Sequence, residues 1–579
     1  MDVTADPSSR TTRFPRESWA TVNQIAGLIL LAALVAMKAV VACRYRFNTD
    51  ETQHLHVIWG WTRGLIEYRD LFDNHPPLFH MLMAPIFRMF PERADIVVPM
   101  RLLMIPFYVA SLAAVYRIGR ALYSPRTAIW LALIAGVLPA FFFPGTEFRP
   151  DDPYAALWLW ALVVAVENRF TTTRAAVMGL LLGICVGITI KTALLLSSLA
   201  MAAGISFGFR CWFARWRPSP RQLLIRVIVL GIAGVTVPAL LCLYFAAHHA
   251  LPQLLYCVLK HNVVPHGERW NGSSLQYFYL PIGLPFVLAG AFAIYKSSPD
   301  PDLATRRVFI AVLPAVYYLL MYSYWPEITD HDNMPAMPLL PLAVMPLIVW
   351  LSAKLPAPAI GYLSLPAAFA VCVSLIWHTH ILQRGSVEKY VSRIAIVLRL
   401  TTPDEYVMDL KGDAIYRQRP IYYAIETFAR VRMRLGWIKD NIAERLIATR
   451  TAICFHPPYP GAASMKFINA NYLPLASHPN IMVLGQSLPK PSGAGISFTV
   501  SIPAQYVLLE QNRPASGVLD GHPYTAAQAL NAGKHQFTPA NPAAPVTLFW
   551  ARAWDEGYPP DSSGSGLQFT LPTRPNTSP

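Results

Sequence analysis

Charge is scarce in this chain. Charged residues make up 14% of its 579 residues, against about 25% in an ordinary soluble domain. That shortage, with 54% hydrophobic residues and a mean hydropathy of +0.36, excludes a chain made only of soluble domains. Cysteine is sparse too. Cys43, Cys185, Cys211, Cys242, Cys257, Cys372 and Cys454 form no CxxC pair and no disulfide framework, and most lie in or beside apolar runs, as small core residues do. The chain has no internal repeat. A cleavable leader is not expected, because the first apolar run is too long and a basic stretch with Arg10, Arg13 and Arg16 precedes it. The net charge of +15 is not concentrated in one basic domain. The basic residues sit between apolar runs, as in the cytoplasmic loops of membrane proteins, so nucleic acid is not an expected partner.

What is abundant is long apolar sequence. Before about residue 380 it comes in runs of roughly 17–25 residues, long enough to cross a hydrocarbon core of about 30 Å. Eleven spans are expected, near 22–43, 99–119, 127–146, 153–168, 175–190, 192–209, 223–246, 278–295, 308–324, 335–352 and 359–379. The stretch 78–90 is apolar but short, and is expected to be an interfacial helix. One set of alternate loops is basic: the leader, Arg117/Arg120/Arg126, Arg169/Arg174, Arg210/Arg215/Arg217/Arg221, Lys296/Arg306/Arg307 and Lys354. The positive-inside rule puts that set in the cytoplasm and the other loops outside, together with everything after 380. The first outer loop is a mild exception, with several arginines of its own. Lys191 is expected at the tip of a hairpin, because a single helix over 175–209 would run about 52 Å. Lys38 is expected to snorkel from the outer end of the first helix.

The expected architecture is a polytopic α-helical membrane domain over 1–380 and a soluble extracytoplasmic domain over 381–579, in the cytoplasmic membrane with the N-terminus inside. Within the tail, about 385–490 mixes short apolar runs (YVMDL, TAICF, IMVLG) with a helical pattern near 435–447, an α/β signature. About 495–579 is β-rich, with ISFTVSIPAQYVLL and VTLFWARAW as strands and Asp-Gly turn chemistry in GVLDGHPY. The last dozen residues are expected to be disordered.

Polar residues capable of chemistry collect on the outer side. They are Asp50-Glu51, the run from Tyr68 through Asp73 and His75 to Leu78, Glu147 through Arg149 to Asp152, Lys191, and Glu327 through His331 to Asn333. Each has a plain structural reading. Asp50-Glu51 is a helix end, His75-Pro76-Pro77 a rigid turn, Arg149 an interfacial arginine, and His331 and Asn333 a helix cap. Two carboxylates with a histidine also suit a divalent metal, with no diagnostic ligand spacing. The Pro-rich run from Met334 suggests a kinked helix lining a cavity.

In this order the segments resemble the GT-C glycosyltransferases, in the bacterial branch akin to protein mannosyltransferases and aminoarabinose transferases. The resemblance rests on Asp50-Glu51 after the first helix, Tyr68-Arg69-Asp70, His75-Pro76-Pro77-Leu78, and Arg101 opening the second span. It continues through Arg117–Tyr123, Arg149-Pro150-Asp151, and Gly183 to Lys191-Thr192, covering about residues 20–355. It implies a glycosyltransferase whose donor is a polyprenyl-phosphate-linked sugar and whose acceptor is a glycan, lipid or protein at the outer face. Under it the catalytic candidates are Asp50 as base, Glu51 as supporting or alternative base, and Asp151 or His75 as orienting groups. Arg149 and Lys191 face the donor phosphate, and His75, Asp73, Arg101, Tyr68, His331 and Asn333 complete donor and substrate binding. By analogy with inverting glycosidases, a single displacement inverts the anomeric centre. A transporter or flippase, which would carry functional polar groups deep in several helices, and a non-catalytic membrane-anchored binding protein are the alternatives.

Overall fold

The computed structural model describes residues 16–215, 219–263, 276–298, 300–352, 358–378, 387–455, 459–489 and 495–561. Arg10, Arg13, Arg217, Lys354, part of the loop 247–277 and the last dozen residues lie outside them. The chain forms two compact units. One comprises Met1–Tyr45, Arg101–Ala239 and Arg269–Arg384; the other comprises Arg46–Met100, Leu240–Glu268 and Gly385–Pro579.

The first unit is helical. Among the described residues, seven helices are long and apolar enough to cross a membrane, and an eighth arises if a bent pair counts as one span. Each of the eleven expected spans overlaps helix, but the helices Asp151–Val166 and Thr172–Ile188, with 16 and 17 residues, and Pro358–His378 are not among those long and apolar enough to count, so the expected number of eleven is not reached among the described residues. Buried residues make up only 6% of the apolar window in both Pro220–Ala247 and Gln276–Ser297. Such apolar surface needs lipid around it, and the protein spans the membrane several times. The bent pair is Pro125–Val137 with Pro139–Thr146, meeting at 67°. Pro139 causes the break, because a residue before proline avoids the helical region and Leu138 sits at φ −64°, ψ 121°.

That bend corrects the expectation for Lys38. Its side chain does not snorkel; it is 1% exposed, set among Leu34, Val41, Tyr108 and Phe142. The second half of the bent pair brings it partners. Lys38 Nζ donates to the Phe142 carbonyl and to Thr146 Oγ1, the latter at 3.1 Å, and lies 4.6 Å from the ring centres of Tyr108 and Phe142. The break at Lys191 does follow expectation. Thr172–Ile188 ends at Thr189, and Thr192–Phe213 begins directly after the lysine.

The second unit joins the segment 46–100 and 240–268 to the tail. In the first of these, helix Thr49–Thr62 precedes the short helix Leu78–Phe87. Tail strands form an eight-stranded mixed sheet and a separate four-stranded one. The larger sheet does not respect the expected division near 490, because Ile481–Ser487 pairs antiparallel with Val546–Trp550. Its Val407–Met408 and Ile453–Phe455 strands run parallel. Two local expectations need correction. VTLFWARAW is a strand only to Trp550, then helix Ala551–Asp555; helix near 435–447 is confined to Ile442–Ala448, after a separate helix Thr427–Arg434. Asp520-Gly521 turns the hairpin Gly517–Leu519/His522–Tyr524 with both φ positive (50° and 82°), as such tight turns require.

Candidate functional site

The polar residues form two clusters, one in each unit. In the helical unit, helix Asp151–Val166 opens with two acids, where the positive end of its dipole favours them. Asp151 accepts from Arg149 Nε at 3.2 Å and from Lys191 Nζ at 3.1 Å. Lys191 also meets Asp332 Oδ1 at 3.0 Å. The other oxygen of Asp332 accepts from the Thr329 amide and hydroxyl at 2.6 and 2.9 Å, closing the short turn Asp330–Asn333. His331 Nε2 lies 3.0 Å from Glu147 Oε2. Lysine, arginine and two aspartates therefore form one nearly buried network whose charges balance. Asp152 points elsewhere: a Cβ on Gly145 would lie 2.8 Å from its Oδ1 and 3.3 Å from Lys38 Nζ.

Two expected site residues of this unit have structural tasks. Arg101 is buried and donates to the carbonyls of Ala42 and Tyr45 at 3.1 Å each, closing the C-terminal end of the first helix. Asn333 donates to the Asp330 carbonyl within its own turn at 3.2 Å.

In the second unit, Asn48 caps helix Thr49–Thr62 in a capping box with Glu51. Glu51 is fully buried and accepts from the Asn48 amide at 3.3 Å. Asp50, beside it, is 28% exposed, with Oδ1 2.5 Å from Lys411 Nζ. Lys411 opens a tail loop built on Asp409, which accepts from the amides of Gly412 and Ala414 and from Arg419 Nε. Gly412 has φ +95°, and a Cβ there would lie 2.5 Å from that of His56, so glycine is required on both counts. His56 donates through Nδ1 to the Ile415 carbonyl at 2.9 Å, and burial pulls its pKa down.

The same loop carries Asp413, fully buried, with Oδ1 accepting from the Thr52 hydroxyl at 3.0 Å. Burial, reinforced by Asp409, pushes its carboxyl up to about 7. A carboxyl raised in the folded state contributes stability that is complete below its ordinary pKa and is lost as pH rises through about 7. Asp413→Asn is therefore expected to raise the melting temperature at pH 8 and flatten its dependence between pH 5 and 8. The effect is on the order of 2–4 kcal/mol. Melting curves over that range check it; an unchanged or lower melting temperature at pH 8 would refute the burial argument.

Sequence reasoning named Asp73 and His75 but missed His54 and His80 beside them. Asp73 Oδ1 accepts from the His75 amide at 2.7 Å and faces its Nδ1 at 2.8 Å, and Oδ2 accepts from Gln53 at 2.8 Å. His54 Nδ1 lies 2.9 Å from His80 Nε2, and His80 Nδ1 lies 2.9 Å from Glu67 Oε1. Burial works against both shifts in this group. It would lift Asp73, yet the facing imidazoles of His75, His80 and His54 hold its carboxyl well below the usual range; it would lower His80, yet Glu67 raises it. One ligand atom from each of His54, Asp73 and His80 falls within 4.8 Å of the other two, a grouping able to hold a metal ion. Tyr68, at φ 68°, supports the loop by donating to the His75 carbonyl at 2.6 Å. A QHLH pair followed by HPPLFH was the available sequence signal.

Residues 74–241 match the family described as dolichyl-phosphate-mannose-protein mannosyltransferase. The chain is similar in fold to ArnT from Cupriavidus metallidurans bound to undecaprenyl phosphate. The TM-score is 0.54 at 11% identity, covering 81% of this chain and 98% of that one. The apo state of that protein gives 0.52 at 12% identity, with the same coverage. An Archaeoglobus fulgidus oligosaccharyltransferase in complex with Zn and sulfate gives 0.36 at 12% identity over 67% of this chain and 62% of that one. No curated protein matches the chain in sequence. The family match is confined to residues 74–241, less than half of the chain, while the ArnT-like fold extends over 81% of it: the chain carries a segment similar to the mannosyltransferase family within an ArnT-like fold.

Proposed function

We propose that the protein transfers a sugar from a polyprenyl-phosphate carrier to an acceptor at the outer face of the cytoplasmic membrane, with Asp50 as general base. The accessibility of Asp50 carries this reading. A base must reach the acceptor hydroxyl; among the three candidate carboxylates Glu51 is buried in a helix cap, and Asp151 is held by two cations at 5% side-chain exposure. Asp50 has 28% of its side chain exposed and one ammonium against it. Arg149 and Lys191 are the cations proposed for the donor phosphate, with His75 at the partly exposed end of the Asp73 group as an orienting residue. The family and fold kinship with glycosyltransferases supports the reaction class.

Purified protein incubated with radiolabelled undecaprenyl-phosphate hexoses and pentoses and a cell-envelope extract is expected to move label out of the carrier lipid. No movement with any of these donors would count against the reading. The tail is proposed to lie outside, so alkaline phosphatase fused after residue 385 should be active. One observation favours a transporter instead. Lys38 and Asp152 are both buried beside Gly145, and neither Asp152 carboxylate oxygen has a hydrogen-bond partner among the described residues. That reading predicts carrier lipid moved between leaflets with its sugar still attached.

A further inference from the structure

The segment 46–100 holds a cluster around Asp73 from which the proposed transfer takes only His75, as an orienting residue. We propose that His54, Asp73 and His80 bind one divalent cation of the zinc class, which pins helix Thr49–Thr62, the turn before His75 and helix Leu78–Phe87 together.

Geometry is the first argument. The three ligand atoms come from three separate segments and lie within 4.8 Å of one another, all on buried residues. His54 Nδ1 and His80 Nε2 are 2.9 Å apart. A tetrahedral centre with metal–nitrogen bonds of about 2.0–2.1 Å sets its nitrogens about 3.3–3.4 Å apart, so moving the two rings apart by a few tenths of an ångström exchanges this hydrogen bond for an ion.

Orientation is the second. His80 offers Nε2 to the centre because its Nδ1–H is directed to Glu67 Oε1 at 2.9 Å. Glu67 is itself fixed by Trp61 Nε1, which donates to Oε2 at 2.7 Å. A carboxylate behind the far nitrogen is how metal-binding imidazoles are commonly held. Asp73 is steadied likewise, by Gln53 and the His75 amide.

Charge is the third. Asp73 and Glu67 are both fully buried, and their partners are imidazoles, an amide side chain, an indole and backbone. Buried carboxylates are ordinarily paired with a cation or coordinate a metal, and a divalent ion held by the imidazole nitrogens would supply that charge between them. Two imidazoles with one carboxylate suit zinc or cobalt, whereas calcium and magnesium prefer oxygen ligands throughout.

The test uses the full-length protein in detergent, stripped with chelator, reloaded with ZnCl2, freed of excess ion and measured by elemental mass spectrometry. About one zinc per chain is expected. His54→Ala, His80→Ala and Asp73→Asn should each fall to background, while His522→Ala, at an exposed histidine of the tail, should keep the ion. Wild-type protein loaded with CoCl2 should show the visible absorption of a nitrogen- and oxygen-ligated cobalt, and ZnCl2 should raise its melting temperature. Wild type that takes up no stoichiometric ion, or an ion kept by all three cluster variants, would overturn the site. If the variants do not fold, the wild-type cobalt spectrum and melting shift decide by themselves. None of these measurements depends on sugar transfer, so the site can stand or fall apart from the proposed reaction.

Discussion

Asp50→Asn is expected to lower transfer by about 10²–10⁴-fold, the usual contribution of a general base, while the protein still inserts and binds donor. The amide keeps the shape of the side chain but cannot take the acceptor proton. Its surroundings make the substitution mild for the fold. Asp50 sits in the first turn of its helix at 28% side-chain exposure, and the cap there is made by Asn48 and Glu51 rather than by Asp50. Lys411 loses its carboxylate partner but is itself 21% exposed, so water replaces much of what is lost; pairs this accessible typically contribute about 0–1 kcal/mol. Single-turnover transfer with labelled carrier, normalised to folded protein, is the measurement. Near-normal turnover would remove Asp50 from the mechanism. Glu51→Gln is a useful contrast, since it alters a buried cap and should lower stability before it alters chemistry.

Much of the helical unit could be read from the sequence because apolar length is a one-dimensional signal. The hairpin at Lys191 followed from arithmetic on helix rise. The Asp-Gly turn at 520–521 followed from local chemistry. What escaped depends on where distant segments meet. Lys38 looked like an interfacial lysine because nothing in its own helix reveals that Leu138-Pro139 will bend a later one and deliver the Phe142 carbonyl and Thr146. His54 and His80, 26 positions apart, fall within apolar sequence and resemble ordinary helix residues until the loop closes. The tail was divided near 490 because pairing between Ile481–Ser487 and Val546–Trp550 leaves no mark in either segment. Lys411 was invisible as a partner of Asp50 for the same reason, with 361 positions between them.

Lys191→Met is expected to disrupt both the fold and the activity, and a second substitution separates the two effects. Lys191 stands between Asp151 and Asp332, whose side chains are 5% and 2% exposed. Removing the ammonium leaves both carboxylates in a nearly dry site; Arg149 compensates Asp151, while Asp332 keeps its contacts to Thr329, neutral donors that do not cancel its charge. Breaking one member of a buried ion pair costs about 3–5 kcal/mol. Reduced yield and a melting temperature lowered by several degrees should therefore accompany Lys191→Met. Lost transfer in that variant alone would say nothing about the donor. The double variant Lys191→Met/Asp332→Asn removes the orphaned charge with its partner. Residues in contact couple, so the double variant should recover most of the lost stability. Donor binding is then read on a folded protein. If Lys191 holds the carrier phosphate, labelled undecaprenyl-phosphate sugar should still bind weakly and transfer should stay low, since the developing phosphate charge has lost a cation. If the lysine only fixes the break between its two helices, transfer should return along with stability. Arg149 offers an independent check. Its guanidinium can grip two oxygens of a phosphate in a fixed fork, so Arg149→Lys should weaken donor binding under the donor reading even though the ion pair to Asp151 can still form. Full recovery of transfer in the double variant, with unaltered binding in Arg149→Lys, would assign the network to architecture alone.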